Sequence, residues 1–226
     1  TFTLSVTRSD AVQQAEAIRA QLGWDTGGYD QTAWFASSLG NAHHAHLIQT
    51  VGIDNAEALV ASETRPWVWH VRWFKPLEKE EFRIGIDHRG ELAFIEHRVP
   101  ENQPGADLST PEARPIAEAF AETRLQRPVS DTTRYKRIEA RAEKREARTD
   151  HHFAWDRIDK KAGDGEFRVE ITVHGDQIGL AKMRYKAPEA FLRDIREQTL
   201  KDGIVTTLSS LFIIATIILG VVSLLH

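Results

Sequence analysis

Two histidine clusters contain the residues of this sequence whose types best suit chemistry. The first, at positions 43–46, places three imidazoles on a predicted helix, and neutral imidazole is a common metal ligand. No carboxylate stands near it to complete a coordination shell. The second sets His151 and His152 beside Asp150 and Asp156. Because the number of ligands decides whether a metal site can form, neither cluster predicts one, and we expect no catalytic, cofactor or metal site.

The composition excludes other classes of chemistry. The 226 residues contain no cysteine, which rules out disulfides, thiolate metal sites and thiol nucleophiles. A net charge of −4 gives no electrostatic reason to bind nucleic acid. The stretch 134–148 has seven basic and three acidic residues, which is typical of a solvated surface strand.

Two amphipathic helices are predicted, one in each half of the chain. Residues 10–22 place apolar side chains at helical spacing, and Ser9 can cap the helix. Residues 112–125 repeat the pattern, although Pro115 indicates that this helix begins late. The first half has additional helical material at 41–62.

Two predicted β-hairpins also match each other. Glu81-Phe82-Arg83-Ile84 with a turn at Gly90 is followed, 85 residues later, by Glu166-Phe167-Arg168-Val169 with a turn at Gly175. In both, apolar and polar side chains alternate with period 2, which is typical of strands with one buried face. We therefore predict an α+β protein of two tandem modules, at residues 1–105 and 106–202, each with a helix laid on an antiparallel sheet.

An aromatic strand precedes the first hairpin, and Trp67, Trp69, Val71 and Trp73 share one of its faces. Such a stripe is typical of a strand that faces the core, because buried aromatic side chains dominate core energetics. The alternative is that Trp67, Trp69 and Trp73 form a docking surface for a peptide or a partner protein.

The end of the chain predicts a transmembrane helix at residues 203–226. Residues 204–225 contain no charged side chain, and 14 of these 22 are Leu, Ile, Val or Phe. At the helical rise per residue, this segment would span about 33 Å, which is enough to cross a bilayer. The sequence thus predicts a protein with a single membrane anchor.

Small and hydroxylated residues fall on one stripe of this predicted helix. Lipid gives no reason to gather such residues on one side, whereas close packing of helices does. We expect the stripe to contact other transmembrane helices of a membrane protein complex, while the lipid bilayer surrounds the rest of the helix. The stripe consists of Thr206, Ser209, Ile213, Thr216, Gly220 and Ser223.

A helix, strands and a hairpin, duplicated ahead of a membrane span, resemble a tandem of PepSY-like, cystatin-like modules. More closely, the chain resembles the region that precedes the membrane core in some long bacterial CPBP intramembrane metalloproteases, the family that includes the CAAX-processing enzymes. The residues that carry the resemblance are Trp69, Val71-Arg72-Trp73-Phe74, Pro76-Leu77, Lys79-Glu80-Glu81-Phe82-Arg83, Pro100-Glu101 and Pro104-Gly105 in the first repeat, and Glu143-Lys144-Arg145, Arg148-Thr149-Asp150-His151, Trp155 and Pro188-Glu189-Ala190 in the second.

The resemblance implies a domain on the periplasmic side of a bacterial inner membrane, but it implies no activity. Such proteases place a Glu-Glu pair with a downstream Arg, and further histidines, on several membrane helices. Here Glu80-Glu81 lies in a polar hairpin strand and Arg83 follows it too closely, while residues 204–225 contain no Glu, Arg or His. No catalytic residue carries over to this chain.

Two functions remain open. The first is a non-catalytic, single-pass accessory subunit whose outer domain and helix dock on a larger membrane complex of electron-transfer, photosynthetic or transport type. The second is the amino-terminal regulatory or substrate-gathering region of a CPBP-family protease.

The small-residue stripe makes a testable prediction. Gly220→Leu should disrupt association with a neighbouring membrane helix, because added bulk holds the two backbones apart. Hydroxyl contacts across such an interface contribute about 0.6 kcal/mol each. Ile218→Phe, which adds bulk on the lipid side, is the control. Recovery of partner proteins in mild detergent measures both variants, and equal recovery would show that the stripe is incidental.

Overall fold

The computed structural model describes residues 4–201, 203, 206, 207 and 209. In chain order the elements are α1 (Arg8–Gln21), β1 (Asp30–Ser37), α2 (Asn41–Val51), α3 (Ile53–Glu63), β2 (Trp67–Phe74), β3 (Glu81–Asp87), β4 (Leu92–Arg98), α4 (Thr110–Thr123), β5 (Tyr135–Lys144), β6 (Thr149–Arg157), β7 (Glu166–His174) and β8 (Gln177–Lys186). A further helix, α5, covers residues 189–201. The fold is therefore α+β.

The eight strands form one antiparallel sheet in the order β1-β2-β3-β4-β8-β7-β6-β5. Each half has the same series of elements, a helix followed by four strands, and the first half also contains α2 and α3. The sequence predicted one sheet per module, whereas here β4 and β8 pair and so cover each other's edges. One hydrophobic core runs through both halves, so burial does not mark where one module ends. The boundary between residues 105 and 106 stays a prediction.

One face of the sheet carries the core. Helix α1 packs on β1 to β3, and α4 packs on β5 to β8. The buried positions of both helices are mostly alanines, which allow each helix to lie close to the strands, while the sheet supplies the bulk. The largest side chains that are fully buried include Trp155, Tyr185, Phe153, Ile84, Ile86, Ile95 and Ile171.

Each of these helices begins with a capping box. In α1 the hydroxyl of Thr7, rather than that of Ser9, accepts the N–H of Asp10. In α4 the carboxylate of Glu112 accepts hydrogen bonds from the N–H and the hydroxyl of Ser109. The helix starts at Thr110 and contains Pro115, so the late start expected from Pro115 is wrong. Pro115 cannot donate a backbone hydrogen bond in the second turn, and the hydrogen bonds of the cap compensate for the stability that is lost.

The opposite face of the sheet is polar, and we call it the polar face. Near β1 it also holds an aromatic ladder. The indole of Trp34 stacks on the imidazole of His70, with 5.0 Å between ring centroids and 5° between planes. His70 in turn contacts Phe94 of β4 at 5.2 Å. The ring of Phe94 can reach His70 because Gly85, between them on β3, has no side chain. The ladder ties the edge strand β1 to the middle of the sheet.

The chain divides into two compact units, Thr1–Lys186 and Ala187–His226. Among the described residues, no helix combines the length and the apolar character that crossing a membrane requires. The predicted span 204–225 lies largely outside the described residues. Within the predicted packing stripe, Thr206 and Ser209 are helical. The other members, Ile213, Thr216, Gly220 and Ser223, lie outside the described residues.

The aromatic ladder predicts a strong effect of Gly85→Ala. A Cβ at this position would lie 2.2 Å from Cε1 of Phe94, so the ring must move and the ladder must open. We expect a loss of about 1–3 kcal/mol in the free energy of unfolding, the usual cost of overpacking. Urea denaturation measures it, and Phe94→Leu in the same chain should restore part of the loss. Additive losses in the double variant would contradict the ladder's role.

Candidate docking groove on the polar face

A groove of about 1210 Å³ crosses the polar face where the two halves of the sheet meet. One wall is the end of β4 with the segment Val99–Asn102, and the other is the turn between β5 and β6 at Lys144–Glu146. The floor is formed by His152, Thr172, His174, Gly179 and Leu180. Both halves of the chain are needed to build it.

The groove lies where pairing between the halves stops. Strands β4 and β8 pair over only three positions, from Phe94 opposite Lys182 to Glu96 opposite Leu180. Beyond them β4 continues through Arg98, and β8 begins at Gln177. The two strands therefore separate at this end, and the space between them is open to the polar face.

A cluster of three arginines on one buried carboxylate forms the first charged part of the groove. The side chain of Glu81 is 7% exposed and is in ion-pair contact with Arg72. It also contacts Arg83 Nε at 3.1 Å and Arg98 Nη1 at 3.0 Å. Glu96 accepts hydrogen bonds from Arg83 and Arg98 at 3.3 and 2.9 Å. Three guanidinium groups thus meet two carboxylates, which leaves this part positive by one charge.

A second buried carboxylate anchors the other wall. The side chain of Asp150 is 1% exposed, and it accepts hydrogen bonds from Arg148 Nε at 2.7 Å and from Arg145 Nε at 3.2 Å. Burial alone would raise the pKa of Asp150, but the hydrogen bond from Arg148 and the charge of its neighbours hold that pKa below its ordinary range. Arg148 also donates to the carbonyls of Pro100 and Gln103, at 3.0 and 2.7 Å. One arginine therefore fixes both walls to each other.

Two histidines near the groove are held in the neutral form. Burial lowers the pKa of His97, against the opposing effect of its hydrogen bond with Glu80 at 2.8 Å, and the ring stacks on Phe82 at 4.1 Å. Burial also lowers the pKa of His174, whose Nδ1 lies 3.1 Å from Asp150. At neutral pH these two imidazoles therefore add no charge to the groove.

The three tryptophans named as an alternative partner surface differ in exposure along β2, and their role in docking stays a prediction. Trp73 is 2% exposed and its Nε1 donates to Glu16 at 3.1 Å. Trp69 is half-buried and donates to the carbonyl of Val6 at 3.0 Å. Trp67, at the end of β2, is 41% exposed. The face that they share is the core face, and the burial of their side chains increases along β2 from Trp67 to Trp73.

The residues with metal-ligand chemistry have structural partners. His151 is buried and its Nε2 lies 2.9 Å from the carbonyl oxygen of Leu108. His46 of α2 lies 2.7 Å from the hydroxyl of Tyr185. Glu80 accepts a hydrogen bond from the hydroxyl of Tyr29 at 2.7 Å, in addition to its contact with His97. Across the part of the chain that the structure describes, no group of three or more potential ligands is placed to hold a metal ion.

The sequence analysis did not predict the groove, although the sequence contains one pattern that relates to it. The polar positions of the two predicted hairpins include Glu81 and Arg83 in the first and Glu166 and Arg168 in the second. These side chains all lie on the polar face, and Arg168 donates to Asp156 at 2.6 Å. The sequence could not show that β4 and β8 meet, and so it could not place residues of both halves in one groove.

No protein-family model and no curated protein matches the chain. Among solved structures it is similar to the Bacillus megaterium YpeB C-terminal domain, with a TM-score of 0.42 and 12% sequence identity over 78% of this chain. The chain spans 62% of the length of that structure. Similarity at this level supports no inference about function.

The neutral histidines predict a dependence of stability on pH. The pKa of His97 and that of His174 are lower in the folded chain than the ordinary value of 6.5. The unfolded chain therefore binds protons more readily, and the free energy of unfolding should decrease as the pH falls below about 6.5. Urea denaturation at pH 7.5 and at pH 5.5 should show a smaller decrease for His97→Gln than for the natural chain.

The matched control for this measurement is His44→Gln, which alters a histidine on α2 outside the groove. An unchanged decrease in His97→Gln would mean that other groups cause the acid sensitivity.

Proposed function

We propose that this protein is a non-catalytic accessory subunit that docks on a larger membrane complex, and that the groove on its polar face receives a polar segment of a partner protein. The observation that carries the proposal is the groove itself. It is built jointly by both halves and lined by charged side chains on a rigid sheet. Its buried carboxylates are engaged by arginines, so the groove offers hydrogen bonds and charge rather than a reactive group.

The walls favour a partner segment that carries both signs of charge. Lys79, Arg98 and Glu101 are exposed residues of the groove lining and carry both signs of charge. Lys144 and Glu146 extend from the opposite turn. A uniformly charged ligand would meet repulsion on one part of every wall, whereas a segment with alternating charges can pair with each.

The size of the groove also favours a polypeptide. At about 1210 Å³ it exceeds the 300–1,000 Å³ typical of small-molecule sites, and it is open rather than enclosed. Polar contacts at such a rim contribute mainly to specificity and to the rate of association. The predicted membrane helix at 203–226 would add affinity by confining both partners to one membrane.

The resemblance to CPBP proteases supports a second candidate, in which the same groove gathers substrate for a protease core. If this second candidate is right, further membrane helices with glutamates and histidines should follow His226 in the same protein. The accessory-subunit proposal expects the protein to be recovered with partners encoded elsewhere.

Charge exchange within the groove tests the proposal. In Lys79→Glu with Glu101→Lys, two exposed positions of one wall exchange charge while the net charge stays at −4. Proteins that co-purify with the full-length chain after extraction in mild detergent would be quantified by mass spectrometry. We expect recovery of the docking partner to fall about tenfold, since each reversed rim contact changes an attraction into a repulsion.

The control exchanges charge outside the groove, in Lys161→Glu with Glu57→Lys, and also leaves the net charge unchanged. A partner that is lost from the first variant and retained by the second supports docking at the groove. Equal recovery with both variants would contradict it.

A further inference from the structure

Three histidines line the groove, and each belongs to a different strand. They are His97 of β4, His152 of β6 and His174 of β7. Each has a carboxylate of the chain nearby, at 2.8 Å (Glu80), 3.4 Å (Glu143) and 3.1 Å (Asp150) respectively. Histidine is the side chain whose charge ordinarily changes between pH 5 and pH 8, so the charge of the groove depends on pH in this range.

The remaining charges of the groove lining cancel. Besides the histidines, five basic and five acidic side chains among the described residues line the groove. Burial lowers the pKa of His97 and that of His174 below 6.5, so both imidazoles are neutral at pH 7.5. Each proton that a histidine binds therefore gives the groove an excess of one positive charge.

A partner can reach two of the three imidazoles. The side chains of His152 and His174 belong to the floor of the groove and are 26% and 21% exposed. The side chain of His97 is 12% exposed, and its ring stacks on Phe82. The other residues of the floor are uncharged: Thr172, Gly179 and Leu180. Protonation of the two floor histidines would thus place positive charge where the groove has none at neutral pH.

The groups that surround the floor histidines do not neutralise this added charge. The titratable groups that face them are Arg141 and Glu143 of β5, Arg145 and Arg148 of the turn after β5, Asp150 of β6 and His97 of β4. Strand β8 places the uncharged Gln177 opposite His174. Both carboxylates of this set already form ion pairs with arginines. The charge of a protonated floor is therefore available to a partner.

We propose that the partner segment places an acidic side chain on the floor of the groove, and that docking strengthens as the pH falls from 7.5 to 5.5 and His152 and His174 bind protons. This inference rests on the proposed function, because it names the chemistry of the partner segment and the regulation of docking at the same groove.

The two kinds of side chain titrate in the order that such regulation requires. The ordinary pKa of Asp and Glu is about 4, so a carboxylate of the partner keeps its negative charge at pH 5.5. A carboxylate beside an imidazole raises the pKa of that imidazole, because it favours the charged form. Docking therefore takes up protons, and by linkage a lower pH favours docking.

The test measures the binding of a rhodamine-labelled peptide to the full-length chain in mild detergent, by fluorescence anisotropy. The peptide has two adjacent glutamates between two lysines in a background of serines, and a control peptide has glutamines in place of the glutamates. We expect the dissociation constant of the glutamate peptide to be about tenfold lower at pH 5.5 than at pH 7.5, since each proton taken up contributes up to tenfold per pH unit. The glutamine peptide should show no such difference.

Variants of the floor assign the effect to the groove. His152→Lys places a permanent positive charge on the floor, so this variant should bind the glutamate peptide at pH 7.5 about as tightly as the natural chain does at pH 5.5. Loss of fold cannot produce such a gain. His174→Gln should reduce the dependence on pH, whereas His44→Gln, which alters a histidine of α2 outside the groove, should leave it unchanged.

Equal binding of the glutamate peptide at both pH values would overturn this inference and leave docking at the groove intact. Binding at neither pH would contradict both this inference and the proposed function. A dependence on pH that is unchanged in His174→Gln, together with no gain in His152→Lys, would show that protons act elsewhere on the chain and would also overturn the inference.

Discussion

The pairing of β4 with β8 is the interaction on which the rest of this structure depends. It spans three residue positions, yet it joins two four-stranded halves into one sheet. Without it, each half would have an open internal edge, and the hydrophobic core that now runs beneath both halves would be divided. The same pairing creates the groove, because the strands separate where it ends.

Burial is divided unequally between the elements on the core face. The helices contribute alanines, and the strands contribute tryptophan, phenylalanine and isoleucine. Small residues on a helix allow its axis to lie close to the sheet. The large side chains of the strands then fill the space between the two layers. On the polar face, ion pairs link adjacent strands, such as Arg184 of β8 with Glu170 of β7. Removing one partner of such a pair costs little where the pair is exposed and more where it is buried, as at Asp150, because the remaining charge is left buried without a counter-charge.

Local patterns in the sequence predicted the local elements well. The helices α1 and α4 and the hairpin β3–β4 lie where periodicity placed them, and β5 is the solvated surface strand expected from its charges. Strand β1 was missed because its apolar residues do not alternate cleanly. The β4–β8 contact was missed because period 2 shows which face of a strand is buried but does not show which distant strand lies beside it. The groove depends on that contact, so its residues could not be grouped from sequence.

The order of the strands also has a consequence for synthesis on the ribosome. Strand β4 ends at Arg98, whereas its neighbour β8 ends at Lys186. At typical translation rates the intervening residues take roughly 4–18 s to appear, and during that time the outer edge of β4 has no native neighbour. This interval is long compared with the formation of a hairpin, which takes microseconds, so the first four strands can associate while β4 is still uncovered. Completion of the sheet therefore waits for the last strand, and the nascent chain exposes a transient edge that a chaperone can shield.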